Sequence, residues 1–279
     1  MSESSPARLL PIALPGARGT SSHAAARRFF GAGLASLGCA DAREAVRAVV
    51  DRRASYAVLA VENSITGAFH GVADAFFEGD VAVVGEVLLP VRQTLMAVPG
   101  TRLEDLSVVT ADVASLAQCR DWIASWSLAA MPAEDVSIAA GELAHSEDRA
   151  LAVIGPLELA DVHGLEVLAE GISDKAENLT RFLVIGAPEE SADAVHGRRC
   201  AVQVGPLRAP RALKTLRIQL ESLGASRVRV PFLGSGDGRR FLIEFDHRAG
   251  RGPEAAEEAC GPLPHRVLGA WKPSARRAG

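Results

Sequence analysis

The segment Asn178–Phe182 (N-L-T-R-F) places a hydroxyl and a guanidinium where a polar run becomes apolar. Leu183–Ile185 is apolar enough for a central strand, whereas the preceding S-D-K-A-E run is too charged to share that sheet. We therefore expect Thr180 at the mouth of a sheet, where its hydroxyl and the neighbouring Arg181 can meet a ligand. The alternative is that Thr180 is an ordinary strand residue and Arg181 a solvated charge.

A second candidate site lies in P-G-A-R-G-T-S-S-H, where a Gly-rich turn leads into an Ala-rich helix that begins near Thr20, Ser21 and Ser22. Free N–H groups at a helix N-terminus, with hydroxyls beside them, favour an anionic ligand such as a carboxylate. The competing interpretation is helix capping alone. The glycine spacing matches neither G-x-G-x-x-G nor a P-loop, so the turn does not predict a nucleotide.

A third polar cluster, Glu62, Asn63 and Ser64, ends the strand predicted over Tyr56–Val61 and precedes a predicted helix. Polar groups at the carboxyl end of a strand lie where α/β proteins bind ligands. An Asn or Ser cap is the competing explanation. His70 follows on the predicted helix, but a lone histidine without a metal-ligand spacing predicts no metal.

The three clusters together predict a cleft for a small polyanion. The sequence shows neither a Ser-His-Asp nor a Cys-His order, so we expect positioning and charge stabilisation to act on an already unstable substrate.

Strand-like and helix-like runs alternate through the first two thirds of the chain, which predicts an α/β fold. The strand-like runs are L-L-P-I-A-L, Y-A-V-L-A-V, V-A-V-V-G-E-V-L-L, T-L-M-A-V, L-S-V-V-T, A-L-A-V-I-G and T-R-F-L-V-I-G. The helix-like runs are S-S-H-A-A-A-R-R-F-F, D-A-R-E-A-V-R-A-V-V-D-R-R-A, V-A-S-L-A-Q-C-R-D-W-I-A-S-W and D-V-S-I-A-A-G-E-L-A-H-S.

A composition break divides the chain into a domain over residues 1–186, a linker over 187–198 and a second domain over 199–279. The second domain reads strand, helix, strand, strand, helix, strand, the order of a ferredoxin-like module. G-S-G-D-G (234–238) lies between two of its strands and predicts a hairpin turn.

Composition excludes several classes of protein. The 279 residues are 48% hydrophobic and 23% charged with a net charge of −4, which fits a globular protein and disfavours a nucleic-acid surface. No apolar segment reaches the roughly 18 residues of a membrane span, and the start does not read as a signal peptide, so we expect a cytoplasmic protein without membrane contact. The scattered Cys39, Cys119, Cys200 and Cys260 predict buried thiols, with neither a zinc site nor disulfides.

The same motifs resemble those of the prephenate dehydratases, a family with a C-terminal regulatory ACT domain. The resemblance covers nearly the whole chain. G-A-R-G-T-S-S-H-A-A is similar to the family's G-x-x-G-T-F-S, A-V-E-N-S-I-T-G to its E-N-S-x-x-G, L-A-Q-C-R-D-W-I to its A-Q-C-R helix, and N-L-T-R-F to its T-R-F motif. In that context T-R-F is highly specific.

The resemblance implies two α/β subdomains around a cleft, as in periplasmic solute-binding proteins, followed by an ACT domain. It implies decarboxylating dehydration of prephenate, a small dicarboxylate, to phenylpyruvate in phenylalanine biosynthesis, without cofactor or metal, by a homodimer or homotetramer. The essential threonine of the motif corresponds to Thr180, supported by Arg181 and Phe182. The implied substrate-binding residues are Thr20, Ser21, Ser22, Glu62, Asn63, Ser64 and Asn178.

Departures from the family pattern keep other functions open. Ala111–Ala114 (A-D-V-A) stands in place of S-H-P-Q, so we expect a polar face of the cleft to be missing. Ser21 replaces the usual phenylalanine, as in related prephenate decarboxylases that give non-aromatic products in specialised pathways, although those enzymes generally lack the threonine of T-R-F. A non-catalytic cleft-binding or regulatory protein is the third alternative.

The C-terminal module departs further. Arg211 takes the glycine position of the family's G-A-L turn, and Ser226–Phe232 replaces its E-S-R-P strand. We expect phenylalanine to regulate the protein weakly or not at all, because a side chain obstructs the close backbone approach that glycine allows.

Overall fold

A computed structural model describes residues 10–16, 19–69, 71–77, 79–146, 148–174, 178–190, 197–207, 211–233, 239–248 and 251–274. The described residues form an α/β protein with three sheets, which confirms the predicted class. Within this part of the chain, no helix has both the length and the apolar character to cross a bilayer.

The first sheet has the order β2-β1-β3-β11-β5, with β4 paired to β3. Its strands are β1 (Ile12–Pro15), β2 (Ser36–Cys39), β3 (Tyr56–Asn63), β4 (Gly67–Ala68), β5 (Ala82–Pro90) and β11 (Leu179–Gly186). β1 is parallel to both β2 and β3, whereas β4 is antiparallel to β3. Because β11 lies between β3 and β5, a late segment of the chain occupies an interior position among early strands, and its continuous apolar run fits that position.

The second sheet is also mixed, with the order β10-β6-β9-β7-β8. Its strands are β6 (Thr94–Ala97), β7 (Val108–Ala111), β8 (Ala129–Pro132), β9 (Leu151–Gly155) and β10 (Glu166–Glu170). β7 is parallel to β8 and β9, and β6 is antiparallel to β9 and β10.

The third sheet is antiparallel, with the order β13-β14-β12-β15. Its strands are β12 (Arg199–Leu207), β13 (Ala225–Leu233), β14 (Arg239–His247) and β15 (His265–Trp271), and two helices intervene in the chain, α8 (Arg211–Ser222) and α9 (Gly252–Cys260). The predicted turn over 234–238 lies outside the described residues.

Among the residues that the structure describes, seven further helices connect the strands of the first two sheets. They are α1 (Ser21–Phe30), α2 (Ala42–Val50), α3 (Val72–Phe77), α4 (Val113–Gln118), α5 (Arg120–Ser125), α6 (Val136–Ala144) and α7 (Glu158–His163), with a short 3-10 helix at Leu103–Asp105. Aspartates start three of them, because each side chain accepts a backbone N–H that the first turn leaves unpaired: Asp41 in α2, Asp112 in α4 and Asp135 in α6.

Two sequence expectations need correction. The single helix predicted over 113–126 is two helices, α4 and α5, separated at Cys119. The residues after Ser64 do not start a helix but a turn, which leads into β4 and folds back antiparallel on β3. His70, expected on that helix, lies outside the described residues.

The chain divides into two compact units. Unit 1 contains residues 1–15, 25–88 and 181–279, and unit 2 contains residues 16–24 and 89–180. Within unit 1, one apolar core joins the first sheet to the C-terminal module, since Leu183 and Ile185 of β11 belong to the same buried cluster as Leu242, Leu268 and Trp271. The third sheet is therefore part of the fold of unit 1.

This shared core predicts that Trp271 is required for the stability of unit 1. Its side chain is buried, and its Nε1 donates to Glu86 Oε2 at 3.2 Å. Trp271→Ala should lower the free energy of unfolding by about 3–5 kcal/mol, since it opens a cavity and removes a hydrogen bond. Urea denaturation measures the change, with Trp126→Ala as control because Trp126 is 44% exposed. Equal losses in the two variants would contradict the assignment.

Candidate active site

Adjacent residues of β11 project to opposite faces of the first sheet. Thr180 and Phe182 therefore share one face, and Arg181 lies on the other with Leu183. All three residues of the T-R-F motif are buried: Thr180 is 4% exposed, Arg181 5% and Phe182 0%. This alternation separates the hydroxyl of Thr180 from the guanidinium of Arg181, which the sequence had suggested as neighbours at one site.

The guanidinium of Arg181 lies among three carboxylates of unit 1. Nη2 donates to Glu244 Oε1 at 2.9 Å, Nη1 lies 3.4 Å from Glu86 Oε2, and Nε lies 3.4 Å from Glu62 Oε2 without hydrogen-bond geometry. Burial would lower the pKa of Arg181, but the three carboxylates outweigh it and raise that pKa. These ion pairs favour a structural role for Arg181.

Glu244 on β14 is the most buried of these carboxylates. Besides Arg181, it accepts from Arg229, whose Nη2 is 2.6 Å from Oε2. Burial by itself would raise the pKa of Glu244, yet the two arginines hold it below its ordinary value. The carboxylate therefore stays ionised in the core because it is paired on both oxygens.

Glu86 on β5 extends the same buried network. It accepts from Arg199 Nη1 at 3.0 Å, from Trp271 Nε1 at 3.2 Å and from the backbone N–H of Ser274 at 2.9 Å. The carboxylate of Glu86 thus connects β5 to the start of β12 and to the end of β15, both in the third sheet.

Glu62 and Asn63 of the Glu62-Asn63-Ser64 cluster make structural contacts within unit 1. Glu62 lies 3.2 Å from Arg229 Nη1 as well as beside Arg181. Asn63 Oδ1 accepts from the backbone N–H groups of Ile65 and Thr66 at 2.9 and 3.0 Å, so it closes the turn between β3 and β4. Ser64 is exposed in this turn.

The N-terminus of α1 lies in unit 2. The carbonyl of Thr20 accepts from Ala24 N at 3.1 Å, which makes Thr20 the residue that precedes the first turn. Its buried Oγ1 has no hydrogen-bond partner among the described residues. Ser22 is buried, whereas Ser21 lines a cavity.

The cavity beside Ser21 has a volume of about 240 Å³. Its wall includes Arg92 and Glu158 as charged residues, with apolar segments Leu89–Val91 and Pro156–Leu157. Arg92 is exposed and has no ion pair with any described residue. Because a typical small-molecule site has roughly 300–1,000 Å³, this cavity suits one arm of a ligand.

Arg92 was missed by the sequence analysis. Its only signal in the sequence is the polar interruption P-V-R-Q between the apolar runs of β5 and β6. This is the same kind of polar-to-apolar junction as the one at T-R-F. A larger cavity of about 720 Å³ in unit 2 is less suited to an anion, since Glu134, Asp135, Glu142 and Asp148 line it.

Unit 2 also contains a chain of hydrogen-bonded polar side chains, of which Gln93, Ser115 and Asn178 are buried and Asp112 and Gln118 half-buried. Gln93 Nε2 donates to Ser115 Oγ at 2.9 Å, Ser115 Oγ donates to Asp112 Oδ2 at 2.6 Å, and Asn178 Nδ2 donates to Gln118 Oε1 at 2.8 Å. Asp112 and Ser115 thus place polar side chains at the start of α4, within and just after the A-D-V-A segment. The expectation that A-D-V-A removes a polar face of the cleft stays a prediction.

The thiols do not provide a nucleophile among the described residues. All four cysteines are free and buried, as predicted. Burial, with a smaller contribution from Asp174, raises the pKa of Cys119 to about 12, so this neighbour of Gln118 stays protonated near neutral pH.

The expected site residues fall into two groups. Thr20, Ser21, Ser22, Asn178 and Thr180 belong to unit 2, and Glu62, Asn63, Ser64, Arg181 and Phe182 belong to unit 1. The polar chain around Asn178 and the cavity at Ser21 are geometric features of unit 2. Participation of either group in one catalytic site stays a prediction.

Comparisons with known proteins agree with the motifs. Residues 12–190 match the family profile described as prephenate dehydratase. A bifunctional chorismate mutase/prephenate dehydratase of Stutzerimonas stutzeri is 32% identical over 85% of this chain, which spans 64% of that relative's length.

Two solved structures are similar over almost the whole chain. A prephenate dehydratase from Arthrobacter aurescens in complex with L-Phe has a TM-score of 0.80 at 25% identity, covering 94% of this chain and 90% of its own. A protein described as GqqA, a novel type of quorum-quenching acylase, has a TM-score of 0.83 at 25% identity, covering 95% and 99%.

The mixed sheets, the polar T-R-F strand and the hydroxyl-rich helix start define an α/β protein with a candidate site for a small polar ligand. The chain belongs to the prephenate dehydratase family.

The buried network predicts that Glu244 stabilises the fold in a pH-dependent manner. Because the pKa of Glu244 is lowered in the folded protein, its contribution is present above the ordinary carboxyl pKa and is lost as the pH falls through the lowered value. Glu244→Gln should cost about 3–5 kcal/mol at pH 7, since it leaves Arg181 without its nearest carboxylate.

Urea denaturation of the wild-type protein and of Glu244→Gln between pH 7 and pH 3 tests this prediction. The difference between their free energies of unfolding should become smaller as the pH falls. Glu104→Gln is the control, because Glu104 forms a pair with Arg102 in which both side chains are more than half exposed. A difference that stays constant across this range would contradict the assignment.

Proposed function

We propose that this protein is a prephenate dehydratase that converts prephenate to phenylpyruvate. The observation that carries the proposal is the buried Thr180 hydroxyl, which lies on the second residue of β11, in the part of that strand that belongs to unit 2, two residues after Asn178 and its hydrogen bond to Gln118. Membership of the family supports it.

The reaction is balanced by one proton. The prephenate dianion and H⁺ give the phenylpyruvate monoanion, CO2 and water. The C–C bond to the ring carboxylate breaks, its electron pair enters the ring, and the C–O bond to the ring hydroxyl breaks as that oxygen accepts a proton. Aromatisation drives the step, so the protein has to orient the substrate and stabilise the departing hydroxyl.

Thr180 is proposed as the group that hydrogen-bonds the departing hydroxyl. A threonine hydroxyl is a weak acid, so it polarises the C–O bond and does not itself titrate. The buried setting of Thr180 strengthens such a hydrogen bond, because the local dielectric is lower than in water.

Arg92 and the N-terminus of α1 are proposed to bind a substrate carboxylate. The cavity at Ser21 has a cation without an ion pair among the described residues, next to backbone N–H groups that carry partial positive charge. Glu158 in the same wall partly offsets this charge. Arg181, whose described partners are all carboxylates, is better suited to hold β11 than to bind the substrate.

Prephenate decarboxylation to a non-aromatic product is the second candidate. Ser21 favours it, because this residue lines the cavity with a hydroxyl where dehydratases usually have phenylalanine. The product distinguishes the two reactions, since decarboxylation alone retains the ring hydroxyl and gives a product heavier by one water.

We further propose a cytoplasmic homodimer or homotetramer in which residues 199–279 act as an ACT-like module. The order β12-α8-β13-β14-α9-β15 supports this proposal. Arg211, the exposed first residue of α8, supports weak or absent regulation by phenylalanine.

Dehydratase activity should depend on Thr180. Thr180→Val keeps the shape of the side chain and removes the donor, so turnover should fall by roughly 10²–10⁴-fold. Mass spectrometry and NMR of the product from prephenate measure it. Thr101→Val, a change at another buried threonine of unit 2, should retain activity. An active, folded Thr180→Val protein would remove Thr180 from the mechanism.

Substrate affinity should depend on Arg92 more than on Arg181. Arg92→Gln should raise KM at least about tenfold, because it removes the charge-assisted contact to a carboxylate. Arg181→Lys should chiefly lower thermal stability, because the single ammonium group of lysine cannot replace the planar guanidinium that contacts three carboxylates. Steady-state kinetics and melting curves separate the effects, with the exposed Arg102→Gln as control. Unchanged KM in Arg92→Gln would exclude this carboxylate site.

A further inference from the structure

The polar chain of unit 2 has a defined direction of hydrogen bonding. A carboxylate accepts hydrogen bonds only, so the 2.6 Å contact between Asp112 Oδ2 and Ser115 Oγ uses the single hydrogen of the serine. Ser115 Oγ can then only accept from its other neighbour, which is Gln93 at 2.9 Å. The amide nitrogen of Gln93 must face Ser115.

This direction leaves the amide oxygen of Gln93 on the opposite side. The side chain is 4% exposed, and no described group donates to Oε1. Rotating the amide would not relieve the oxygen, because it would place Oε1 against an oxygen that has no hydrogen left to donate. A second contact supports this orientation of the Gln93 amide. Gln93 Nε2 also lies 3.5 Å from Gln118 Oε1, an acceptor that receives a hydrogen bond from Asn178 as well.

A buried acceptor without a partner costs about 1–3 kcal/mol, and a hydrogen-bond donor on a bound ligand would remove that cost. Gln93 is close to the strand that carries the candidate catalytic hydroxyl, because the backbone N–H of Val91 donates to Asn178 O at 2.8 Å. Asn178 precedes Thr180 by two residues.

We propose that Gln93 Oε1 accepts a hydrogen bond from the ring hydroxyl of the substrate and thereby selects ligands that carry it. This inference rests on the proposed function, because the ring hydroxyl is the one donor on a prephenate dianion, whose two carboxylates and ketone only accept. As the hydroxyl becomes water it turns into a stronger donor, so the contact to Gln93 strengthens while Thr180 hydrogen-bonds the same oxygen.

Two keto acids that differ by one hydroxyl test the proposal. Calorimetry gives the affinities of phenylpyruvate and 4-hydroxyphenylpyruvate for the full-length wild-type protein and for Gln93→Met, which keeps the length of the side chain. The wild-type protein should prefer the hydroxylated ligand by about tenfold, the effect of one buried hydrogen bond, and the preference should fall to about onefold in the variant. Affinity for phenylpyruvate should change less than about twofold.

Controls separate this role from a structural one. Thr101→Val alters another buried group without a described partner in unit 2 and should keep the preference for the hydroxyl. Gln93→Asn, which withdraws the amide by one methylene, replaces the methionine variant if that protein does not fold, and should also lose the preference.

The proposal would be overturned if the folded Gln93 variant preferred 4-hydroxyphenylpyruvate over phenylpyruvate as strongly as the wild-type protein does. It would also be overturned if the wild-type protein showed no such preference. Its failure is distinct from failure of the proposed function, which is tested by turnover of prephenate in the wild-type protein. The affinities of the two keto acids are measured without turnover.

Discussion

A buried arginine surrounded by carboxylates is the constraint on which unit 1 depends. Arg181 pairs with Glu62 on β3, Glu86 on β5 and Glu244 on β14, so one guanidinium joins three strands from separate parts of the chain. Apolar side chains could replace such a network as a whole, but loss of one partner leaves a charge that neither water nor protein stabilises. The network therefore holds these strands in one arrangement.

The same constraint determines what the neighbouring threonine can do. Since a strand has two faces, a guanidinium held on one face orients the Thr180 hydroxyl to the other. The motif thus combines a structural residue and a candidate catalytic residue at consecutive positions. Their adjacency in sequence suggested a shared ligand, whereas the pleat of β11 gives them different surroundings.

The sequence predicted the elements that local patterns determine. Apolar runs such as those of β3, β9 and β11 and the amphipathic run of α2 carry their own signals. β8 and β10 do not, because all four residues of β8 are exposed and β10 has no fully buried residue, so pairing with neighbouring strands makes them strands. Thr180 and Ser21 could be found from motifs. Glu244, the nearest of the three carboxylates around Arg181, lies 63 residues away in the sequence. The proposed role of Gln93 depends on the direction of its hydrogen bonds, which the sequence does not contain.

The core that joins β11 to Leu242, Leu268 and Trp271 affects how this protein can change during evolution. A regulatory domain on a flexible tether can be exchanged between proteins as a cassette. Here the C-terminal module supplies apolar residues to the first sheet and Glu244 to the buried arginine, so a foreign module would leave both unmatched. Recombination at this boundary is restricted to donors that carry the same complementary face.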